Sequence, residues 1–451
     1  MTLQAAAGIL GSSVRGGDVE FNGVSIDSRT TREGDLFVAL RGPNFDGHDF
    51  VTAAVENGAV AALIIGGDKV PVPSLTVKDT YRALGQLAAD WRRRFELPVI
   101  AITGSNGKTT VKQMVGTILR ARDAGVVAEG NLNNHIGMPL TLLRLRDSDR
   151  FAVLELGMNH PGEISYLTAI AQPTIAVINN AAAAHLQGLG SIGGVARAKG
   201  EIFEGLRDAG IAVINIDDRH AALWMDLTSS RRRMTFGLDP SADVSATYSL
   251  RPDASDMTII TPAGQLELTL PLPGVHNVRN ALAATAASLA AGAQLADIKQ
   301  GLERVAPVAG RVVSRRGIGG AAIIDDSYNA NPASLYAALE VLAAQSGERL
   351  LVLGDMNELG SESAALHTEA GIEARRAGVN GLYAVGAMSR HTVRGFGDGA
   401  HHFDNQQALI AALEPRLHAG VTALVKGSRG TRMERVVAAL LADAGADRVR
   451  H

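Results

Sequence analysis

The segment Thr103–Thr110, TGSNGKTT, combines glycines, a lysine and hydroxyls in the proportions that hold a phosphate chain. Gly104 and Gly107 let the backbone approach a ligand, Lys108 supplies a point charge, and the Thr109 hydroxyl can reach a magnesium ion. Thr103, Ser105, Asn106 and Thr110 complete the candidate nucleotide loop. The spacing G-x-x-x-x-G-K-[ST] would require glycine at 102, where the chain has Ile102; it carries instead the shorter G-x-x-G-K-T from Gly104. Context supports a phosphate role. An apolar strand is expected at Val99–Thr103 and helical spacing runs over Thr109–Arg120, so backbone N–H groups at a helix start would face the anion. A glycine-rich turn with a solvated lysine is the plain alternative.

A nucleotide with magnesium needs further oxygen ligands. Glu155 is the candidate, the one carboxylate in the otherwise apolar run Phe151–Leu156, near the strand end where α/β sites form. A strand-end glutamate can equally be a cap or an ion-pair partner. His185 follows the strand that ends at Asn179–Asn180 and fits either a metal ligand or a satisfied polar residue. Lys199, in ARAKGEIF, reads by itself as a surface helix lysine.

The elements that must position these groups fall into three units. Residues 1–97 read as a small α/β unit, with apolar runs at Leu36–Leu40 and Val60–Ile65, a turn-rich loop Arg41–Asp49 and a helix over Tyr81–Glu96. Arg92–Arg94 near that helix end fit a solvated, dipole-favoured terminus or an anion site. Pro98 opens the second unit, 98–310. Strands expected at Val99–Thr103, Phe151–Leu156, Thr174–Ile178 and Ile211–Ile216 alternate with helices, the pattern of a parallel sheet covered on both faces. Met257–Leu270 reads as a hairpin around Pro262–Gly264, and Gly274–Ala293 as a helix. The third unit, 311–451, repeats the rhythm with strands at Ala321–Asp325, Leu350–Leu353, Leu382–Val385 and Val421–Val425, a second, Rossmann-like doubly wound fold.

Composition narrows the function. The chain has 451 residues, 46 % of them hydrophobic, enough for roughly three cores at about 150 residues each. With 43 Lys+Arg against 46 Asp+Glu, no global positive field exists to hold a nucleic acid. The absence of cysteine excludes disulfides, thiolate metal sites and cysteine nucleophiles. The first residues lack a basic region and an adequate apolar stretch for export, and no run reaches the roughly 18 apolar residues of a membrane span. A cytoplasmic protein, expected to act as a monomer, fits these features.

A longer series of motifs carries a resemblance. TGSNGKTT at 103–110, GNLNNHIGMPLTLL at 130–143, ELGMNHPGEI at 155–164, NNAAAAHLQGLGS at 179–191, AKGEIF at 198–203, LPLPGVHNVRNALAA at 270–284, DDSYNANP at 325–332, LGDMNELG at 353–360 and LVKGSRGTRMERVV at 424–437 resemble, in order, the Mur ligases. The likeness runs from SIDSR at 25–29 almost to the C-terminus. It implies an α/β protein of three domains: a small N-terminal domain for the UDP-muramyl-peptide, a central P-loop ATPase domain and a C-terminal Rossmann-like domain. The implied activity is ATP-dependent amide formation in peptidoglycan synthesis. Within the family the motifs are most similar to the branch whose substrates are UDP-N-acetylmuramoyl-tripeptide and D-alanyl-D-alanine.

By the same resemblance, Lys108 would bind phosphates, Thr109 and Glu155 one magnesium, and His185 a second. Lys199 would be the lysine that the family carbamylates, giving an anionic oxygen ligand for the metal, and Arg311 the arginine that reaches the terminal phosphate. Asn277 and Asn280, at i and i+3 on a helix, would bond the adenine edge, and Asp326 the ribose. Asp27, Ser28 and Arg29 resemble uridine-contacting positions, and Asn133 and Asn134 substrate-contacting ones. Asn329, Asn331 and the segment Lys426–Arg429 would hold peptide ends, or else serve as turn and helix-start residues. The last motif departs from the family where Gly430, Thr431 and Arg432 replace expected small residues; Arg432 is either an extra contact or a solvated charge. Two other readings share the phosphate loop: folylpolyglutamate synthase, and a nucleotide-driven switch or motor. SIDSR, GPNFDGHDF and DDSYNAN favour the Mur ligases over the first, and an acceptor-dependent ATP turnover would separate them from the second.

Overall fold

A computed structural model describes residues 1–66 and 70–442; residues 443–451 of the expected third unit lie outside the described residues. The described residues form an α/β molecule built on three sheets of five or six strands, with a small antiparallel sheet added.

The N-terminal sheet has the order Val14–Arg15, Ser74–Val77, Ala59–Ile65, Asp35–Val38, Gly23–Ser25, and only its Val14–Arg15 edge is antiparallel. The helix Thr80–Arg93 starts on Asp79, whose carboxylate accepts from the N–H groups of Tyr81 and Arg82. It ends at Arg93, short of Glu96 and one residue beyond Arg92. That side chain is fully buried and donates to the carbonyls of Phe95, Ala171 and Gln172. Of the three arginines expected at a solvated end or anion site, Arg92 is therefore a buried cross-brace, while Arg93 and Arg94 pair with Asp90. Ala83, Leu84, Leu87 and Ala88 of the same helix belong to a core that also contains Ile164, Leu167 and Ile170 of the central helix Glu163–Ala171. Gly85 permits the close approach: a Cβ there would lie 2.3 Å from the Tyr166 hydroxyl.

The central sheet is parallel throughout, in the order Arg232–Phe236, Ile211–Asn215, Ile175–Ile178, Val99–Thr103, Ala152–Glu155, Val126–Val127. Every residue of Val99–Thr103 is buried, as a continuous apolar run covered on both faces requires. Val111, Met114 and Ile118 of the helix Lys108–Arg120 pack with Val278, Ala281 and Leu282 of the helix Val275–Ala290 over one face. The expected hairpin forms from Ser255–Thr261 and Gly264–Leu270, and Ser245–Leu250 extends it to three strands.

The C-terminal sheet runs Val313–Arg316, Ala322–Asp326, Val421–Lys426, Glu348–Gly354, Gly381–Val385, Ala400–Phe403, parallel except at its first strand. Apolar clusters of its own cover its two faces. Of the strands that the sequence reading passes over, Arg232–Phe236, Val313–Arg316 and Ala400–Phe403 are edges, where one side of the strand stays polar and the apolar run is interrupted, whereas Ser74–Val77 is internal but short, with its last two residues only half-buried.

Candidate active site

The carboxyl ends of the central strands open into a cleft of about 1280 Å³ that the C-terminal unit also lines. Ser105, Asn106 and Gly107 of the glycine loop line it. Gly107 has φ +79°, and a Cβ there would sit 2.2 Å from Asn280 Oδ1, so the turn admits glycine alone without displacing that amide. Asn106 anchors the loop: its N–H donates to Asn180 Oδ1 at 2.9 Å, and its carbonyl accepts from the amides of Asn179 and Asn180. Asn179 also donates to Asn280 Oδ1 at 2.9 Å, and Asn280 to Asn277 Oδ1 at 3.3 Å. The Ser105 hydroxyl bonds both the N–H and the carbonyl of Ala182.

Lys108 opens the helix and turns its Nζ back onto the Gly104 carbonyl at 2.6 Å. Burial, then Arg311 close by, lowers its ammonium from the ordinary lysine range, with Glu155 opposing. Thr109 Oγ1 donates to Glu155 Oε2 at 2.9 Å and accepts from Arg311 Nη2 at 3.0 Å. Asn133 Nδ2 donates to the other oxygen of Glu155 at 2.9 Å. Lys112, one helical turn beyond Thr109, lies 3.3 Å from Glu155 and donates to the Gly130 carbonyl at 2.7 Å. Burial pushes the Glu155 carboxyl up, but Lys108, Lys112, the Asn133 amide and Arg311 outweigh it, so the group is held ionised below its usual range.

Lys199 is 2 % exposed and faces the same cleft. Burial and the charge of Lys108 drive its ammonium well below the ordinary lysine value, against the pull of Asp218. His185 also lines the cleft, in the left-handed backbone region at φ +56°, with Nδ1 2.5 Å from Glu358 of the C-terminal unit.

From the C-terminal side, Arg311 stacks its guanidinium 4.4 Å from the Tyr328 ring centroid, and its Nε is buried without a partner. Asp326 is buried against Lys426 Nζ at 2.5 Å, and the same ammonium donates to the Asn329 carbonyl at 2.9 Å. Burial raises the Asp326 carboxyl, and Lys426 and Arg311 oppose the rise. Asn331 caps the helix Pro332–Ala343 with Oδ1 and donates through Nδ2 to Asn106 Oδ1 at 2.8 Å, joining the C-terminal unit to the phosphate loop.

Most of the expected residues therefore line one cleft, including Ser105 to Thr110, Asn133, Asn134, Asn277, Asn280 and Asn329. Asn134 spends its side chain on the N–H groups of Ile136 and Gly137. Thr103 is fully buried and donates its hydroxyl to the Leu156 carbonyl, so it supports the strand rather than facing the cleft. Gly104 contributes its carbonyl to Lys108. Asp27, Ser28 and Arg29 lie away from the cleft: Arg29 pairs with Asp27 in solvent and Ser28 is buried, its carbonyl accepting from Asn57. Arg432 is exposed and outside the cleft, in agreement with a solvated charge. Sequence reasoning missed Lys112, Asn180 and Glu358. A lysine three residues after Thr109 falls on the same helix face, which is the signal that could have found Lys112.

The donor set suits a triphosphate with magnesium. Among the described residues no group of three His, Asp or Glu side chains could cage an ion. Magnesium, however, is commonly held by one or two carboxylates and the phosphates of its substrate, and the Thr109–Glu155 pair provides such an edge. The unpartnered Arg311 Nε and the tight glycine turn are fitted to an anion.

Family comparison agrees with this geometry. Residues 102–288 match the Mur ligase middle domain, 310–429 the Mur ligase glutamate ligase domain, and 20–92 the Mur ligase catalytic domain. The chain belongs to the Mur ligase family. It is 43 % identical over 98 % of both chains to the UDP-N-acetylmuramoyl-tripeptide–D-alanyl-D-alanine ligase of Escherichia coli, and 35 % identical to that of Bacillus subtilis over 93 % of both. Among solved structures, MurF from Acinetobacter baumannii superimposes with a TM-score of 0.90 at 37 % identity, covering 96 % of this chain and 97 % of that one. MurF from Thermotoga maritima in complex with ADP gives 0.82 at 28 % identity, covering 92 % and 96 %. A folylpolyglutamate synthase of Mycobacterium tuberculosis, at 18 % identity and a TM-score of 0.65, shares the fold alone.

Proposed function

We propose that this Mur ligase family member joins D-alanyl-D-alanine to UDP-N-acetylmuramoyl-tripeptide, converting ATP to ADP and phosphate. The observation that carries the reading is the contact of Arg311, from the start of the C-terminal unit, with Thr109 and through it Glu155 at the phosphate loop. A carboxylate and an amine do not condense readily in water, because the oxygen to be expelled is a poor leaving group. Here a tripeptide carboxylate oxygen attacks the γ-phosphorus of ATP in line, the bond to the β-phosphate oxygen breaks, and ADP departs. The amine of D-alanyl-D-alanine attacks the acyl phosphate carbon, loses its proton, and the C–O bond breaks to release phosphate. Lys108 and Arg311 stabilise the charge that develops on the transferring oxygens, mainly by position and electrostatics.

Magnesium, held beside Thr109 and Glu155 with a second ion at His185, would neutralise the phosphate oxygens. Lys199 is read as the carbamylated lysine: a neutral amine can take up carbon dioxide, and its depressed ammonium favours that form. Asn277 and Asn280 would face adenine, Asp326 the ribose, and Asn133, Asn134, Asn329 and Asn331 the acceptor and its peptide. Asp27, Ser28 and Arg29 would meet the uridine end. The domain limits proposed are 1–97, 98–310 and 311–451, in a chain that works as a cytoplasmic monomer. Among the described residues no helix is long and apolar enough to cross a membrane.

Phosphate release from ATP and magnesium should require both UDP-N-acetylmuramoyl-tripeptide and D-alanyl-D-alanine. Release indifferent to the two would sink the ligase reading in favour of a nucleotide-driven switch.

A further inference from the structure

The motif LGDMNELG at 353–360 lies outside the roles given so far, yet it delivers Glu358 to the lip of the cleft. Two residues in the left-handed backbone region meet there across the two units: His185 at φ +56° and Glu358 at φ +63°. Glutamate rarely holds that conformation, which histidine adopts more readily, so Glu358 marks a place where the surroundings dictate geometry. Glu358 makes a double attachment. Its Oε2 is 2.5 Å from His185 Nδ1, and its carbonyl accepts from the Gln187 N–H at 3.3 Å. Gly360, at φ +64°, packs against Gln187 Cα.

The direction of the hydrogen bond follows from its chemistry. Of the two ring nitrogens it is Nδ1 that meets the Glu358 carboxyl, and a carboxylate oxygen accepts. Nδ1 is then the donor of that bond, and Nε2 is the ring nitrogen that the carboxylate leaves uncovered. Histidines that ligate metals are commonly oriented by such a carboxylate on the far ring nitrogen.

We propose that Glu358 is a positioning residue: arriving with the C-terminal unit, it fixes the ring orientation and tautomer of His185 and so leaves Nε2 available to the divalent ion used in the reaction. The inference rests on the reading of His185 as a residue of the metal site. It makes part of that site conditional on the docking of loop 355–360, because neither the carboxylate nor the Gln187 contact belongs to the central unit.

The test uses the full chain as E358Q, E358G and H185Q. Glycine at 358 adopts the same backbone without strain, so E358G removes the carboxylate with little risk to folding. Two readouts are needed: ¹⁵N signals of the His185 ring in the metal-free protein, assigned with H185Q, and Mn²⁺ affinity by paramagnetic resonance with a non-hydrolysable ATP analogue. The wild-type ring should show protonated Nδ1 and unprotonated Nε2. Both Glu358 variants should lose this single tautomer and bind Mn²⁺ roughly 10–100-fold more weakly. Ring signals unchanged in E358G, or Mn²⁺ affinity weakened by H185Q but untouched by E358G and E358Q, would overturn the proposal. Mn²⁺ affinity untouched by H185Q itself would instead overturn the metal reading of His185.

Discussion

Replacing Lys112 with methionine tests the electrostatics of the site more directly than removing any group that meets the nucleotide. Lys112 and Glu155 are 2 % and 3 % exposed and 3.3 Å apart, so the substitution leaves the length of the side chain but strips a buried carboxylate of its nearest full charge. Breaking one side of a buried pair costs about 3–5 kcal/mol. Glu155 keeps the Thr109 and Asn133 bonds, and Lys108 and Arg311 remain near, which places this case at the lower end, about 3 kcal/mol. For a body of about 310 residues, at about 2.1 cal/mol/K of unfolding entropy per residue, that corresponds to a melting shift of roughly 4–5 °C. Both tryptophans of the chain report on the relevant body: Trp224 is buried in the core shared by the N-terminal and central units, and Trp91 packs against it. Thermal unfolding followed by tryptophan fluorescence, without nucleotide, is therefore the assay. Because the folded-state value of Glu155 lies below 4.5, the stability it contributes is present above that pH and fades as pH falls through the folded value. The gap between wild type and K112M should close in acid. An identical fluorescence midpoint at neutral pH would refute the claim that Lys112 sustains the ionised carboxylate.

Lys108→Ala should abolish ATP turnover with an unchanged circular dichroism spectrum, since the hydrogen bond of the side chain goes to the loop carbonyl of Gly104; retained activity would remove the loop from the reaction. Lys199→Ala should be inactive and partly rescued by small carboxylates, and absence of rescue at every concentration would count against a carbamate. Arg92→Met leaves the Phe95, Ala171 and Gln172 carbonyls without their donor and should lower stability by about 2–5 kcal/mol in chemical denaturation. Burial, then Lys426 and Arg279, lowers His276 from 6.5 to about 4, so the unfolded chain binds the extra proton between those values and stability drops as pH falls through that window. His276→Gln should flatten the drop, and an unaltered acid limb would exclude His276 as its source.

The phosphate loop was legible because two independent signals coincide there, a fully apolar strand before the loop and an amphipathic helix after it. Glu155 was legible as one charge in an apolar strand. Arg311 was not readable from local pattern: its partner Thr109 is 202 positions away, and only the resemblance singled it out. The Asn106 anchor was hidden for a similar reason, since strand-end asparagines look alike whether they face solvent or grip a loop from the next strand. Arg92 misled because a basic residue in a last helical turn usually satisfies the dipole, whereas here three backbone carbonyls from two units enclose it. The edge strands failed to register because a half-wet strand carries no continuous apolar run.

The common core of the first two units governs how the molecule can be dissected. Leu84 and Leu87 sit on the same apolar mass as Ile164 and Ile170, so a shortened chain starting near Pro98 would bare that surface and invite aggregation. A cut near Val312, by contrast, frees a piece whose two faces are already clothed by clusters of its own. The smallest fragment expected to survive alone is thus the C-terminal third, while the nucleotide-holding portion has to be produced with its amino-terminal neighbour attached.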